Sequence, residues 1–321
     1  SGADAGQATF NAGVIATTGV FSGILKTDDT TEATSTTDGS LQTDGGLSVA
    51  KDVVVTIKPL HSLVSGVVGD TGKTHLIVSG NQSPHGFKFK PSQIKLLNNA
   101  NIIFYIGDTF ETFMEKAFDS IPGNVVKVPV AEKARLKLLP YREGGAWEED
   151  KHEGHDHSGH EGHHDEGGGD MHVWLDPNNA IQMIKAITRQ LSDVYPENRD
   201  IYKANARSYV KKIMALDSEL SASLSSSKEA PFIVFHDAYQ YFEKHYGLNG
   251  VGSITFDPHD FPSPKRLKEI RSKLNETSAA CVFSEPQFSD RLVRTVIKGT
   301  SAKTALIDPL GSGIEDGPEL Y

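Results

Sequence analysis

The chain has 321 residues, enough for two domains of about 100–200 residues each, with 42 acidic and 32 basic side chains, thirteen histidines and one cysteine. A net charge of −10 without a basic run argues against nucleic-acid binding, because phosphate contacts need Lys and Arg. One cysteine excludes both a disulfide framework and a zinc-thiolate finger. No apolar stretch approaches the roughly 18 residues needed to span a bilayer.

Residues 1–50 are expected to stand apart as a low-complexity segment. Residues 27–46 hold seven threonines among Asp, Ser and Gly, and residues 1–50 carry a net charge of −5. Residues 12–25 are weakly apolar but lack a basic start and a clear cleavage site, so no signal peptide is visible. The Gly/Thr/Asp composition weakly resembles bacteriophage fibre repeats. The chain begins at Ser rather than Met, as if a natural N-terminus were missing.

From residue 51 the pattern is regular α/β. Short β-branched runs at 53–57, 75–78, 102–106 and 125–128 read as buried strands, as do 232–235, 253–256, 280–284 and 304–307. Helical segments alternate with them, which argues for mainly parallel sheets. Asp176-Pro177 and Ser263-Pro264 are helix starts, with a capping side chain followed by proline at the first helical position. Another helix opens at Ser289-Asp290.

Between the two sets of strands lies one long helical segment, from Pro196 to about Leu224, with no Gly or Pro inside it. Tyr209, Ile213, Leu216, Leu220 and Leu224 form one apolar stripe along it. At 1.5 Å per residue it would be roughly 40 Å long, a rigid connector between two α/β lobes. The expected organisation is a low-complexity segment 1–50, an N-terminal lobe 51–180, a helical region 181–227 and a C-terminal lobe 228–321.

Residues 148–170 interrupt the first lobe. They hold nine acids, one Lys and no apolar residue, a net −8. His152, His155, His157, His160, His163 and His164 are interleaved with Gly, Asp and Glu. Such a stretch cannot build a core and reads as a flexible loop that attracts metal ions. The histidines are interrupted and internal, unlike a purification tag.

In open α/β sheets ligands bind beyond the carboxyl ends of strands. Three strands of the second half end in a candidate ligand: His236, Glu285 and Asp308. His85 follows the second strand of the first half, and His172 follows the acidic tract just before Val173-Trp174-Leu175. Three imidazoles with one oxygen suit zinc when thiolates are absent. His61, His75, His245 and His259 have no such placement and read as surface or core residues.

Residues 54–68 (VVTIKPLHSLVSGVV), 83–92 (SPHGFKFKPS), 171–177 (MHVWLDP), 234–247 (VFHDAYQYFEKHYG), 281–288 (CVFSEPQF) and 306–311 (LIDPLG) carry a family resemblance. In order and spacing, residues 50–321 resemble the periplasmic zinc-binding protein of bacterial ABC uptake systems, the ZnuA type of the cluster A-I metal-binding proteins. The resemblance implies an α/β fold of two lobes with mainly parallel sheets, joined by one long rigid helix, with the metal site in the cleft. By motif it implies His85, His172 and His236 as imidazole ligands, with Asp308 or a water completing the shell and Glu285 supporting the site or lining the cleft. Histidine at 236, where manganese-binding relatives have a carboxylate, implies zinc preference. Proline at 84 removes the glutamate that some zinc members place there. Family chains continue with a last helix bearing a cysteine partner for Cys281, so the C-terminal lobe is expected to be truncated.

The expected function is capture of Zn²⁺ outside the inner membrane and delivery to an ABC transporter permease, without enzymatic activity. The protein is expected to be periplasmic and monomeric unless residues 1–50 oligomerise. One rival is a zinc hydrolase using the same three histidines, with Glu285 as its base. Another is a virion-associated or adhesive zinc-binding fusion built on residues 1–50.

Overall fold

The computed structural model describes residues 52–142, 168–256, 258 and 262–321. Residues 1–50, the six histidines of the acidic tract and His259 lie outside the described residues.

The first lobe contains β1 (Asp52–Ile57), α1 (Lys58–Val68), β2 (Lys73–Val78), α2 (Pro91–Asn99), β3 (Ile102–Tyr105), α3 (Glu115–Phe118), β4 (Val126–Pro129) and α4 (Val130–Lys133). Next come α5 (Pro177–Val194) and the long α6 (Arg199–Leu224). The second lobe contains β5 (Phe232–His236), α7 (Gln240–Tyr246), β6 (Gly250–Thr255), α8 (Pro264–Thr277), β7 (Cys281–Ser284), α9 (Arg291–Ile297) and β8 (Lys303–Leu306).

Each lobe has one four-stranded parallel sheet, ordered β2-β1-β3-β4 and β6-β5-β7-β8. The second order repeats the first, so each sheet reverses its winding at one place: between β1 and β3, and between β5 and β7. These are the switch points at which a crevice opens beyond the strand ends. β1 and β3 are apolar on both faces and fully buried but for Asp52, as parallel strands covered by helices should be.

The helix-start chemistry works as expected at two places. The Asp176 carboxylate accepts from the Asn178 amide at 2.8 Å, and the Ser263 hydroxyl accepts from the Arg266 amide at 3.1 Å. Among the described residues, no helix is long and apolar enough to cross a membrane.

Two expectations need correction. The run at 304–307 was expected to be a buried strand, but all four residues of β8 are exposed, Leu306 by 64%. β8 is the sheet edge and pairs only with β7; burial there depends on what covers the edge, which β-propensity does not encode. The stripe on α6 is also displaced. Its buried residues are Tyr202, Ala206, Tyr209 and Ile213, whereas Leu216, Leu220 and Leu224 are half-buried. The first half of the helix packs on α1 and α5, and the second half continues past that core towards β5. The segment Pro196–Asn198 is a 3-10 turn preceding the α-helix.

Candidate metal centre

Local chemistry brings each histidine to the cleft differently. His85 follows β2 in a turn where the Phe87 amide donates to the Pro84 carbonyl at 3.4 Å. Gly86, at φ +65°, takes the left-handed conformation that glycine adopts without strain. Phe87 and Phe89 pack on Phe113 and anchor the turn. His172 directly precedes the 3-10 turn Val173–Leu175, whose Trp174 is buried and donates its indole N–H to the Pro309 carbonyl at 2.8 Å. His236 is the last residue of β5.

The three rings converge. One ligand nitrogen from each of His85, His172 and His236 lies within 4.8 Å of the others. The ε nitrogens of His172 and His236 are 3.4 Å apart. Two nitrogens bound tetrahedrally at 2.0–2.1 Å from one zinc ion would be about 3.3–3.4 Å apart. The rings surround a cavity of about 10 Å³ walled by Phe110, Trp174, Phe288 and Leu310, room for about one water-sized sphere.

Carboxylates orient two of the rings. Asp170 Oδ1 accepts from both the backbone amide and Nδ1 of His172, at 2.9 and 2.8 Å. Glu285 Oε1 lies 2.7 Å from His236 Nδ1. With Nδ1 protonated and donating, the Nε2 lone pair of each ring is left for a cation. Glu285 reaches His236 because β5 and β7 are neighbours at the switch point of the second sheet. Burial pulls the His236 pKa down, but the charge and hydrogen bond of Glu285 outweigh it, so His236 holds a proton above the usual histidine range.

Asp308 is not part of this convergence. Its Oδ1 accepts from Gln287 Nε2 at 2.8 Å and the Leu310 amide at 3.0 Å, and its Oδ2 accepts from the amide and hydroxyl of Ser312, both at 2.6 Å. Burial raises its pKa, but these bonds overcome that and hold the carboxyl below its usual value. Of the histidines without an assigned role, His61 is buried in α1, His75 pairs with Asp52 at 3.0 Å, and His245 bridges Asp217 and Asp176.

Sequence reasoning passed over Asp170 and Phe110. Asp170 was counted as the last acid of the tract, although an Asp two residues before a candidate ligand can bond back to the following backbone. Phe110 packs edge-on against His85, His172 and Trp174, with ring centroids 5.3–5.4 Å apart. Its one hint was its position after β3, at the strand-end rim.

A family model described as "Zinc-uptake complex component A periplasmic" (ZnuA) matches residues 53–321. The chain belongs to this family. It is 42% identical over 294 residues to the high-affinity zinc uptake system protein ZnuA of Brucella abortus, covering 84% of this chain and 86% of that protein. The ZnuA of Yersinia pestis is 32% identical over 273 residues at the same coverage. Among solved structures, a ZnuA crystal structure superposes with a TM-score of 0.69 at 26% identity, covering 83% of this chain and 93% of that one. The Zn(II)-bound ZnuA-like domain of Streptococcus pneumoniae AdcA superposes at 0.63 and 25% identity, covering 84% and 89%. ZnuA-family membership agrees with the two parallel-sheet lobes and the long helix between them.

Proposed function

We propose that this chain captures Zn²⁺ in the periplasm, with His85, His172 and His236 as its three protein ligands, and delivers it to an ABC transporter permease. The observation that carries the reading is the 3.4 Å separation of two ε nitrogens whose opposite nitrogens are held by Asp170 and Glu285. That is a preorganised set of imidazole nitrogens with the spacing a zinc ion needs. The fourth position falls to water, because Asp308 spends both oxygens on four donors, three in its own loop and one on Gln287. The acidic tract with His152, His155, His157, His160, His163 and His164 collects zinc more weakly, since ordering it costs conformational entropy. The working units are the two lobes, 51–180 and 228–321, with 181–227 between them.

Transport fits the site better than hydrolysis. The cavity between the rings, about 10 Å³, matches a single ion in size. Glu285, the candidate base, is committed to the far side of the His236 ring from the ε nitrogen.

Competitive zinc titration of the wild type, His236→Ala and a deletion of residues 148–165 tests the proposal. One tight site should vanish in His236→Ala and persist in the deletion, with weak sites lost only in the deletion. Tight binding that survives His236→Ala overturns it, and zinc-dependent hydrolysis lost in Glu285→Gln would favour the enzymatic rival.

A further inference from the structure

The segments flanking the acidic tract are tied to both histidines from opposite sides. The Asp170 amide donates to the Leu139 carbonyl at 2.8 Å, an isolated antiparallel bridge that closes the tract at its base. The second rung is supplied by a side chain of the other lobe. The Tyr241 hydroxyl, on α7, accepts from the Leu139 amide at 2.9 Å and donates to the Asp170 carbonyl at 2.6 Å. Three residues along from Leu139, the Arg142 guanidinium spreads across two carboxylates of the second lobe. Its Nε donates to Asp237 Oδ2 at 3.1 Å, one terminal nitrogen bonds Asp237 Oδ1, and the other donates to Glu243 Oε2 at 2.6 Å. Gly250 makes room for the Glu243 carboxylate: a Cβ there would come within 2.6 Å of it.

The two ends of this stem reach the two ligands in short steps, one on the Asp170 side and two on the Arg142 side. Asp170 holds the His172 ring. Asp237 directly follows His236, in a tight turn where the Ala238 amide donates to the His236 carbonyl at 2.9 Å. A largely buried Arg with two carboxylates is poor value as a stability device, because an apolar replacement of similar volume often does as well. What the planar fork supplies, and a point charge does not, is a fixed geometry for two acceptors at once.

We propose that Arg142 is a positioning residue for zinc: through its fork on Asp237 and Glu243, and with Tyr241, it clasps the stem of the acidic tract to the second lobe and holds His236 against His172. The clasp holds the two lobes together beside the site, so its loss speeds zinc release more than it slows capture. Arg142 acts on His236 through Asp237. The inference rests on the three-histidine reading above.

The test is stopped-flow release of Zn²⁺ to a chelator, with separate capture rates, for the wild type, Arg142→Ala, Arg142→Lys, Tyr241→Phe and His236→Ala. Arg294→Ala, which breaks an exposed pair with Asp290 in the second lobe, is the control. Release should be about tenfold faster or more in Arg142→Ala, the scale of losses when outer partners of metal ligands are removed. It should be partly restored in Arg142→Lys, faster than wild type in Tyr241→Phe, and unchanged in Arg294→Ala, with capture rates near wild type in these four variants. The visible spectrum of the Co²⁺-loaded protein should change in Arg142→Ala, as a purely structural loss would not require. Folded Arg142→Ala with wild-type release overturns the proposal. If that variant does not fold, wild-type release in both Arg142→Lys and Tyr241→Phe overturns it. Tight zinc binding that persists in His236→Ala would instead refute the three-histidine reading.

Discussion

His172 and His236 face each other across 3.4 Å through their ε nitrogens, while a different carboxylate, Asp170 or Glu285, grips the δ nitrogen of each. The two rings come from different lobes and are 64 residues apart in sequence. Each lobe therefore delivers a ring already set in its tautomer and angle. Little further ordering of these rings is then needed to bind a cation, which is how preorganisation raises affinity.

Removing either carboxylate should weaken zinc binding without touching a ligand. Asp170→Asn and Glu285→Gln are each expected to raise the Kd for zinc by about 10–100-fold, the usual effect of losing a partner of a ligating histidine. Competition with a chromophoric chelator measures this. Wild-type affinity in both variants would show that the two bonds do not orient the rings.

Zinc binding should fall off with acid earlier than an ordinary imidazole would imply. Because His236 is held above the usual histidine range by Glu285, zinc must displace a more tightly held proton. Affinity should thus begin to decline above pH 6.5 as pH falls. In the zinc-free protein the same raised value stabilises the fold below about pH 6.5 and ceases to do so as pH rises through the folded value. Apparent Kd measured from pH 8 to 5.5 should show the onset moving to lower pH in Glu285→Gln. An onset unmoved by that change would contradict the assignment.

The first lobe carries a pH dependence of its own. Glu111 lies at the first sheet's switch point and is buried, which raises its pKa to about 7 despite hydrogen bonds from the Ile106 amide, the Thr56 hydroxyl and the Gly107 amide. Its unfolded carboxyl titrates near 4.5, so the folded state binds the extra proton between about pH 4.5 and 7. Stability from this group is complete below that window and lost across it, on the order of 3 kcal/mol in total. Denaturant unfolding of zinc-free protein from pH 5 to 8 should show a shallower decline in Glu111→Gln than in the wild type. Parallel curves would contradict this.

Gly66 permits the close approach of α1 and α6. A Cβ there would lie 2.5 Å from the Tyr209 ring, whose hydroxyl is bonded to Ser62 at 2.8 Å and cannot swing aside without losing that bond. Gly66→Ala should lower stability by about 1–3 kcal/mol through overpacking, outweighing the roughly 1 kcal/mol that alanine gains in helix propensity. Thermal unfolding checks the loss, and zinc stoichiometry should be unchanged.

Much of this architecture is legible along the chain because it is locally encoded. All eight strands fall on the short runs read as strands, and Asp176 and Ser263 start their helices with side chains two and three residues from the amides they cap. His85 and His236 stand out because parallel sheets put strand ends at the binding edge. What escapes is long-range. Arg142 finds Asp237 95 residues away, and nothing near Arg142 announces it. The exposure of β8 and the half-buried end of α6 depend on which neighbours cover them, and composition does not record that. The contrast between Glu285, which meets His236, and Asp308, which turns into its own loop, likewise needs coordinates, since both follow strand ends.

The most direct measurement is anomalous diffraction at the zinc edge from crystals of the zinc-loaded chain. One strong peak is predicted between the lobes, about 2.0–2.1 Å from the ε nitrogens of His172 and His236 and from one ring nitrogen of His85, with a water and not Asp308 in the fourth position. A tight-site peak away from these three rings, or one ligated by only two of them, would contradict the account.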